Sequence, residues 1–161
     1  IELDTAPGAG ARFRLHLPRS AEGAVRRPAD TASEPGRGRV LVVDDELEIA
    51  ALLAERLTQD GLSVATATSG RRALAAIEQG GIDLVVSDLR MPDMDGTALA
   101  REIHRRWPAM AGRILMITGD ALGSDLGARA GGIGLPVFEK PLDLGALASE
   151  VHRRISGIAA E

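Results

Sequence analysis

From Arg39 onward the chain alternates short apolar runs with longer amphipathic segments, five of each. The apolar runs lie at about 39–43, 63–67, 82–87, 112–117 and 136–139. The amphipathic segments lie at about 46–60, 70–79, 96–107, 121–130 and 143–156. Strands that alternate with helices imply a parallel sheet with right-handed crossovers. Runs 40–43 and 114–117 are apolar throughout, as befits strands buried on both faces. The expected class is therefore α/β, a five-stranded parallel sheet of the flavodoxin-like, doubly wound (βα)5 type. In such a sheet a site forms at the carboxyl ends of the strands, near the switch point.

The amphipathic segments support this reading. Ile49, Leu52, Leu53 and Leu57 recur at helical spacing, as do Leu99, Ile103 and Trp107, and Leu144, Leu147, Val151 and Ile155. Gly61 and Gly80-Gly81 stand where glycine ends a helix, and Pro108 follows the third segment. The fourth segment is crowded by Gly123 and Gly127 and flanked by Gly119, Gly131, Gly132 and Gly134. Each interior glycine costs about 1 kcal/mol relative to alanine, so a short or mobile helix is expected there.

Upstream the texture differs. Residues 1–18 read as two short strands, Ile1–Asp4 and Ala11–Leu17, joined by a Gly/Pro turn. Residues 19–38 contain Pro28, Pro35, Gly23, Gly36 and Gly38 without periodicity, and read as a linker. The organisation expected is thus a hairpin over 1–18, a linker over 19–38 and one domain over 39–157. Hydrophobic residues make up 45% of the chain, enough for a core, and aromatics only 2%, so that core is aliphatic. With no cysteine, disulfides and thiolate chemistry are excluded. No apolar stretch approaches the ~20 residues of a membrane span, and no signal-peptide pattern opens the chain. A cytoplasmic location is the simplest expectation. Residues 40–161 carry twelve Lys or Arg against eighteen acids, which leaves no basic footprint for nucleic acid.

Chemistry concentrates at the ends of the apolar runs. Asp44 and Asp45 close the first, Asp88 the third and Thr118 the fourth. Lys140, the single lysine in 161 residues, closes the fifth and precedes Pro141. In one parallel sheet, three carboxylates, a hydroxyl and an ammonium would share an edge. Clustered carboxylates repel one another, and a cation relieves the repulsion. Mg²⁺ takes one or two carboxylates together with water and phosphate oxygens. A carboxylate can also attack phosphorus to give an aspartyl phosphate, a transfer governed by positioning and charge neutralisation.

The motifs Val40-Leu41-Val42-Val43-Asp44-Asp45-Glu46, Val86-Ser87-Asp88-Leu89-Arg90-Met91-Pro92-Asp93-Met94-Asp95-Gly96, Ile117-Thr118-Gly119 and Phe138-Glu139-Lys140-Pro141 resemble those of response-regulator receiver domains. The resemblance covers residues 39–157. It implies that Asp88 accepts a phosphoryl group from a phosphohistidine on a kinase or phosphotransfer domain. It implies that Asp44 and Asp45 hold Mg²⁺ with Asp88 and the Arg90 carbonyl, and that Thr118 and Lys140 contact the phosphoryl group. It further implies a cis Lys140–Pro141 bond, self-catalysed phosphorylation and dephosphorylation, and tuning of phosphoryl lifetime by Arg90 and Asp120. By analogy the fourth and fifth helices with the fifth strand would form the partner face. The sequence leaves the oligomeric state open, a homodimer included. One position departs from the family: Val137 stands three residues before the lysine, where an aromatic side chain is common. Phe138 is adjacent but should face the other way along a strand.

The segment Ala6-Pro7-Gly8-Ala9-Gly10-Ala11-Arg12-Phe13-Arg14-Leu15-His16-Leu17-Pro18 resembles the end of a histidine-kinase ATPase domain. That implies a hybrid sensor histidine kinase with this receiver at its C-terminus. The chain ends soon after the fifth helical segment, so no attached DNA-binding output domain is expected. The nucleotide-binding motifs of such a domain are absent, so neither ATP hydrolysis nor kinase activity is expected of this chain alone. His16, His104 and His152 read as surface residues, and the Arg105-Arg106 and Arg153-Arg154 pairs as solvated faces. Two other readings compete with a phosphoacceptor, alongside that of a stand-alone single-domain regulator. One is a receiver-fold interaction module that has lost switching, which Val137 favours. The other is a flavodoxin-like cofactor binder, which the acidic, aromatic-poor strand ends disfavour.

Overall fold

The computed structural model describes residues 2–6, 10–14, 38–119 and 134–158. The hairpin and the five-stranded sheet belong to two separate compact units. In the first, β1 (Glu2–Ala6) pairs antiparallel with β2 (Gly10–Arg14), so β1 runs two residues further and β2 begins one residue earlier than the sequence suggests. The expected continuation of the second strand over 15–17 lies outside the described residues, as does the linker up to residue 37.

The second unit runs β3 (Arg39–Val43), α1 (Leu47–Gln59), β4 (Ser63–Ala67), α2 (Gly70–Glu78), β5 (Leu84–Asp88), α3 (Gly96–Arg106), β6 (Ile114–Thr118), β7 (Val137–Glu139) and α4 (Leu144–Ile158). The sheet is parallel throughout, in the order β4-β3-β5-β6-β7. The expected helix over 121–130 lies outside the described residues.

Two aliphatic clusters cover the two faces of the sheet. Leu41, Val43, Val85, Ile114 and Met116 pack with Leu74, Ile77, Leu99 and Ile103 of α2 and α3. Val40, Val42, Val86, Leu115 and Ile117 pack with Leu53 and Leu57 of α1 and Leu147 and Val151 of α4. Alternate residues of each strand thus enter opposite cores, the arrangement of a doubly wound sheet. Truncating one of these leucines to alanine typically costs about 2–5 kcal/mol, so each cluster anchors the strand ends that carry the chemistry.

Local rules explain where the elements stop. Gly61 (φ 90°) donates to the Thr58 carbonyl, and Leu62 N–H reaches back to Leu57. This is a Schellman ending, with Leu62 buried beside the helix it closes. Helix α3 ends one residue earlier than expected. Trp107 leaves the helical region (φ −131°, ψ 75°) because Pro108 disfavours it there, and a short 3₁₀ turn follows. Strand β5 starts at Leu84 rather than 82, since Asp83 is engaged with the backbone of Arg39 through its own amide and carboxylate.

One helix-face assignment is corrected. Leu52 is 53% exposed and Leu47 68% exposed, while Ala50, Leu53 and Leu57 face the core. Leu52 lies about 100° around the helix from Leu53, and the stripe that meets the sheet runs through Ala50, Leu53 and Leu57 instead. The arginine pairs also differ from a merely solvated face. Arg105 and Arg106 both grip Glu102, whose carboxyl they hold down at about 2, but Arg154 also donates to the Gly112 carbonyl at 2.6 Å. It ties α4 to the loop before β6. His104 is exposed and His152 half-buried, whereas His16 lies outside the described residues.

Asp95 caps α3: its carboxylate accepts from Ala98 N–H at 2.7 Å and from the Thr97 hydroxyl at 2.6 Å. Burial by itself would raise its pKa, but the hydrogen bonds from Thr97 and Ala98 and the charge of Arg101 outweigh it and hold it below the usual value. Asp95→Ala should therefore cost about 1 kcal/mol near neutrality. A depressed folded-state pKa stabilises above the unfolded value and loses that contribution as pH falls through the folded one. Urea titrations of both proteins should show the gap intact at pH 6–7 and shrinking below about pH 4.

Candidate functional site

The strand order sets the site. Chain leaves β3 toward β4 on one side and β5 toward β6 on the other, which opens a crevice at their carboxyl ends. Asp44 follows β3 and Asp88 ends the neighbouring β5. Thr118 ends β6 and Lys140 follows β7. Thr118 is buried, and its carbonyl accepts the Lys140 amide at 2.7 Å. The Lys140–Pro141 peptide is cis.

The Lys140 ammonium reaches back across the sheet edge. Its Nζ lies 2.9 Å from Asp88 Oδ1, 3.4 Å from Asp44 Oδ2 and 3.8 Å from Glu46 Oε1. Backbone amides hold the other carboxylate oxygens: Glu46 N–H donates to Asp44 Oδ1 at 2.9 Å, and Arg90 N–H to Asp88 Oδ2 at 2.7 Å. Asp44 is 1% and Asp88 5% exposed, so both carboxylates are largely withdrawn from water. Burial pushes the Asp44 carboxyl up. The Glu46 amide and the Lys140 charge only partly offset this, and the nearby Asp88 charge adds to it. Burial alone would lower the Lys140 pKa, but the hydrogen bond and charge of Asp88, joined by Asp44, outweigh it and raise it.

Asp44, Asp88 and Lys140 are thus brought into direct contact. Asp45 sits beside them, exposed to solvent. Arg90 meets the cluster through its amide. Asp120 lies outside the described residues. Among the described residues no three carboxylates or imidazoles stand close enough together to hold a metal unaided. A cation at this edge would therefore need water or phosphate oxygens beside the protein's own, the kind of incomplete shell Mg²⁺ accepts. The Asp44–Asp88 pair suits a cation, since two buried carboxylates share one ammonium, and burial, joined by the Asp88 charge, raises the Asp44 carboxyl.

Two contributors were not assigned in the sequence. Glu46 stands in the sequence only as the last residue of the first motif, yet its carboxylate faces Lys140. Its place beside the Asp-Asp pair was the available signal. Gly96 read as part of a motif; a Cβ there would lie 2.6 Å from the Asp88 carbonyl oxygen and 3.1 Å from Leu89 Cα. The alternation at β7 is as expected: Val137 packs on the α2/α3 side and Phe138 on the α1/α4 side.

This sheet order, with a lysine from the last strand closing on acids from two inner strands, is that of a receiver domain of two-component systems. The chain belongs to that family: residues 40–152 match the response regulator receiver domain. Among curated relatives, it is 40% identical over 108 residues to the transcriptional regulatory protein GlrR of Escherichia coli K12, covering 67% of this chain and 24% of that protein. It is 33% identical to the sensor kinase CckA of Brucella abortus, over 96% of this chain and 18% of the kinase. The chain thus spans about a quarter or less of these two relatives. A solved response regulator receiver domain from Clostridium thermocellum superposes with a TM-score of 0.69 at 28% identity, over 76% of this chain and 98% of that one.

Proposed function

We propose that this chain is a phosphoacceptor receiver that takes a phosphoryl group from a phosphohistidine onto Asp88, with Mg²⁺ at the adjoining acidic edge. The observation that carries the reading is the single ammonium of Lys140 bridging the buried carboxylates of Asp88 and Asp44. Asp88 Oδ1 is the nucleophile; it attacks phosphorus as the bond to the histidine nitrogen breaks. Lys140 is then 2.9 Å from the atom that becomes the bridging oxygen, placed to balance charge on the transferred group. Thr118, one strand over, is the hydroxyl assigned to that group. Asp44 and Asp45, with Asp88 and the Arg90 carbonyl, would hold Mg²⁺, which supplies charge neutralisation at the phosphoryl oxygens.

The segment is read as the C-terminal receiver of a hybrid sensor histidine kinase in the cytoplasm. Support comes from the match to a sensor kinase over nearly the whole chain and from the antiparallel hairpin where the tail of an ATPase domain is expected. Among the described residues no helix is long and apolar enough to cross a membrane. No DNA contact is assigned to residues 39–157. The test is phosphotransfer: a phosphohistidine-bearing kinase core or phosphotransfer domain should pass radiolabel to this chain and not to Asp88→Asn. Persistence of the label on the histidine would overturn the reading.

A second reading has one observation in its favour. Val137 and Phe138 point into opposite cores, so Phe138 does not stand in for the absent aromatic. Phosphorylation that leaves amide exchange over β6, β7 and α4 unchanged would mark a receiver that accepts a phosphoryl group without switching.

A further inference from the structure

We infer that Glu46 is a charge gate at the mouth of the phosphoacceptor site, disfavouring small dianionic phosphodonors against donors of lower charge. The inference deepens the proposed function and rests on it. Glu46 occupies the N-cap of α1, where a side-chain oxygen usually accepts a helix amide. Here the side chain makes no capping hydrogen bond. Its Oε1 instead lies 3.8 Å from Lys140 Nζ. Meanwhile the Glu46 amide holds Asp44 Oδ1 in place. One residue therefore orients a buried acid through its backbone and adds a further carboxylate to the same ammonium through its side chain.

The charge balance follows. Lys140 faces Asp88, Asp44 and Glu46, one positive charge against three negative. Asp44 and Asp88 are buried and fixed, whereas the Glu46 side chain is 66% exposed. It is a carboxylate that an incoming donor meets at the mouth, and it contributes nothing to the transfer step. That step needs only Asp88 attack on phosphorus with departure of the leaving group: acetate from acetyl phosphate, ammonia from phosphoramidate. Acetyl phosphate approaches as a dianion, and phosphoramidate as a zwitterion with one net negative charge. A single carboxylate several ångströms away opposes the first about twice as strongly as the second, and dissolved salt screens both.

The experiment compares the wild-type chain with Glu46→Gln and Glu46→Asp at saturating Mg²⁺, following phosphorylation by intact mass with each donor. Glu46→Gln should raise the acetyl phosphate to phosphoramidate rate ratio about two- to threefold at low salt, with the rise fading near 1 M salt. Glu46→Asp retains the charge and should stay close to the wild-type ratio. A role confined to folding would move both donors together and ignore salt. Phosphorylation of all three proteins with an unchanged ratio overturns the gate alone. Failure of both donors to label the folded wild-type chain overturns the phosphoacceptor reading and the gate with it.

Discussion

Asp88→Asn is expected to abolish phosphoryl uptake while making the folded domain more stable. The loss of function follows from chemistry, because an amide oxygen is a poor nucleophile toward phosphorus and no neighbouring acid occupies the same strand end. The gain in stability follows from charge. Asp88 and Asp44 are both buried and share one ammonium, at 2.9 and 3.4 Å. Their mutual repulsion is among the causes that raise the Asp44 carboxyl. Asparagine keeps an acceptor for the Arg90 amide, and Lys140 keeps Asp44 as its partner. The three-group cluster goes from net negative to neutral, worth about 1 kcal/mol or roughly 3 °C in Tm. Thermal unfolding without Mg²⁺ checks the sign. A clear drop in Tm would mean that the Asp88–Lys140 contact outweighs the repulsion.

Gly96→Ala should produce the largest loss of stability among the conservative glycine changes. A Cβ at this position would stand 2.6 Å from the Asp88 carbonyl oxygen, 3.1 Å from Leu89 Cα and 3.1 Å from Met116 Sδ. The first two are backbone atoms at the end of a fully buried strand and cannot step aside singly. Helix propensity alone would favour alanine by up to about 1 kcal/mol. The steric cost, of the order of 3 kcal/mol for overpacking of this kind, exceeds it, leaving a net loss of about 2 kcal/mol. Because the displaced atoms belong to Asp88 and its successor, the phosphorylation rate should fall as well. Gly112→Ala is the control, since a Cβ there meets nothing within 4 Å. It should remain within about 0.5 kcal/mol of wild type. Urea midpoints for the two variants separate the outcomes, and equal midpoints would contradict the close-packing account.

The fold was legible because two periodicities agree. Apolar runs such as Val40–Val43 and Ile114–Ile117 are uninterrupted, and the segments between them bury a face at helical spacing. The chemistry was legible because the residues that matter sit at strand ends, where topology alone gathers them. What escaped is what requires coordinates. Leu52 and Leu53 are equally apolar, and only the direction of α1 decides that Ala50 takes the buried position. Glu46 is only the last residue of a motif until the reach of Lys140 is known. Arg154 reads as a surface charge until the Gly112 carbonyl appears beside it. Asp45 stands at the same strand end with its side chain exposed, next to the buried Asp44 and Asp88 that contact Lys140.

The central claim is that folding gathers Asp44, Asp88 and Lys140 into one cation-dependent phosphoryl-accepting site. Its most direct test is the intact mass of the wild-type chain after treatment with acetyl phosphate, with Mg²⁺ and with a chelator, followed by fragmentation to place the modification. The account predicts one added phosphoryl group on Asp88 when Mg²⁺ is present and almost none under chelation. Equal labelling in both conditions, or a phosphoryl group on any residue other than Asp88, would contradict it.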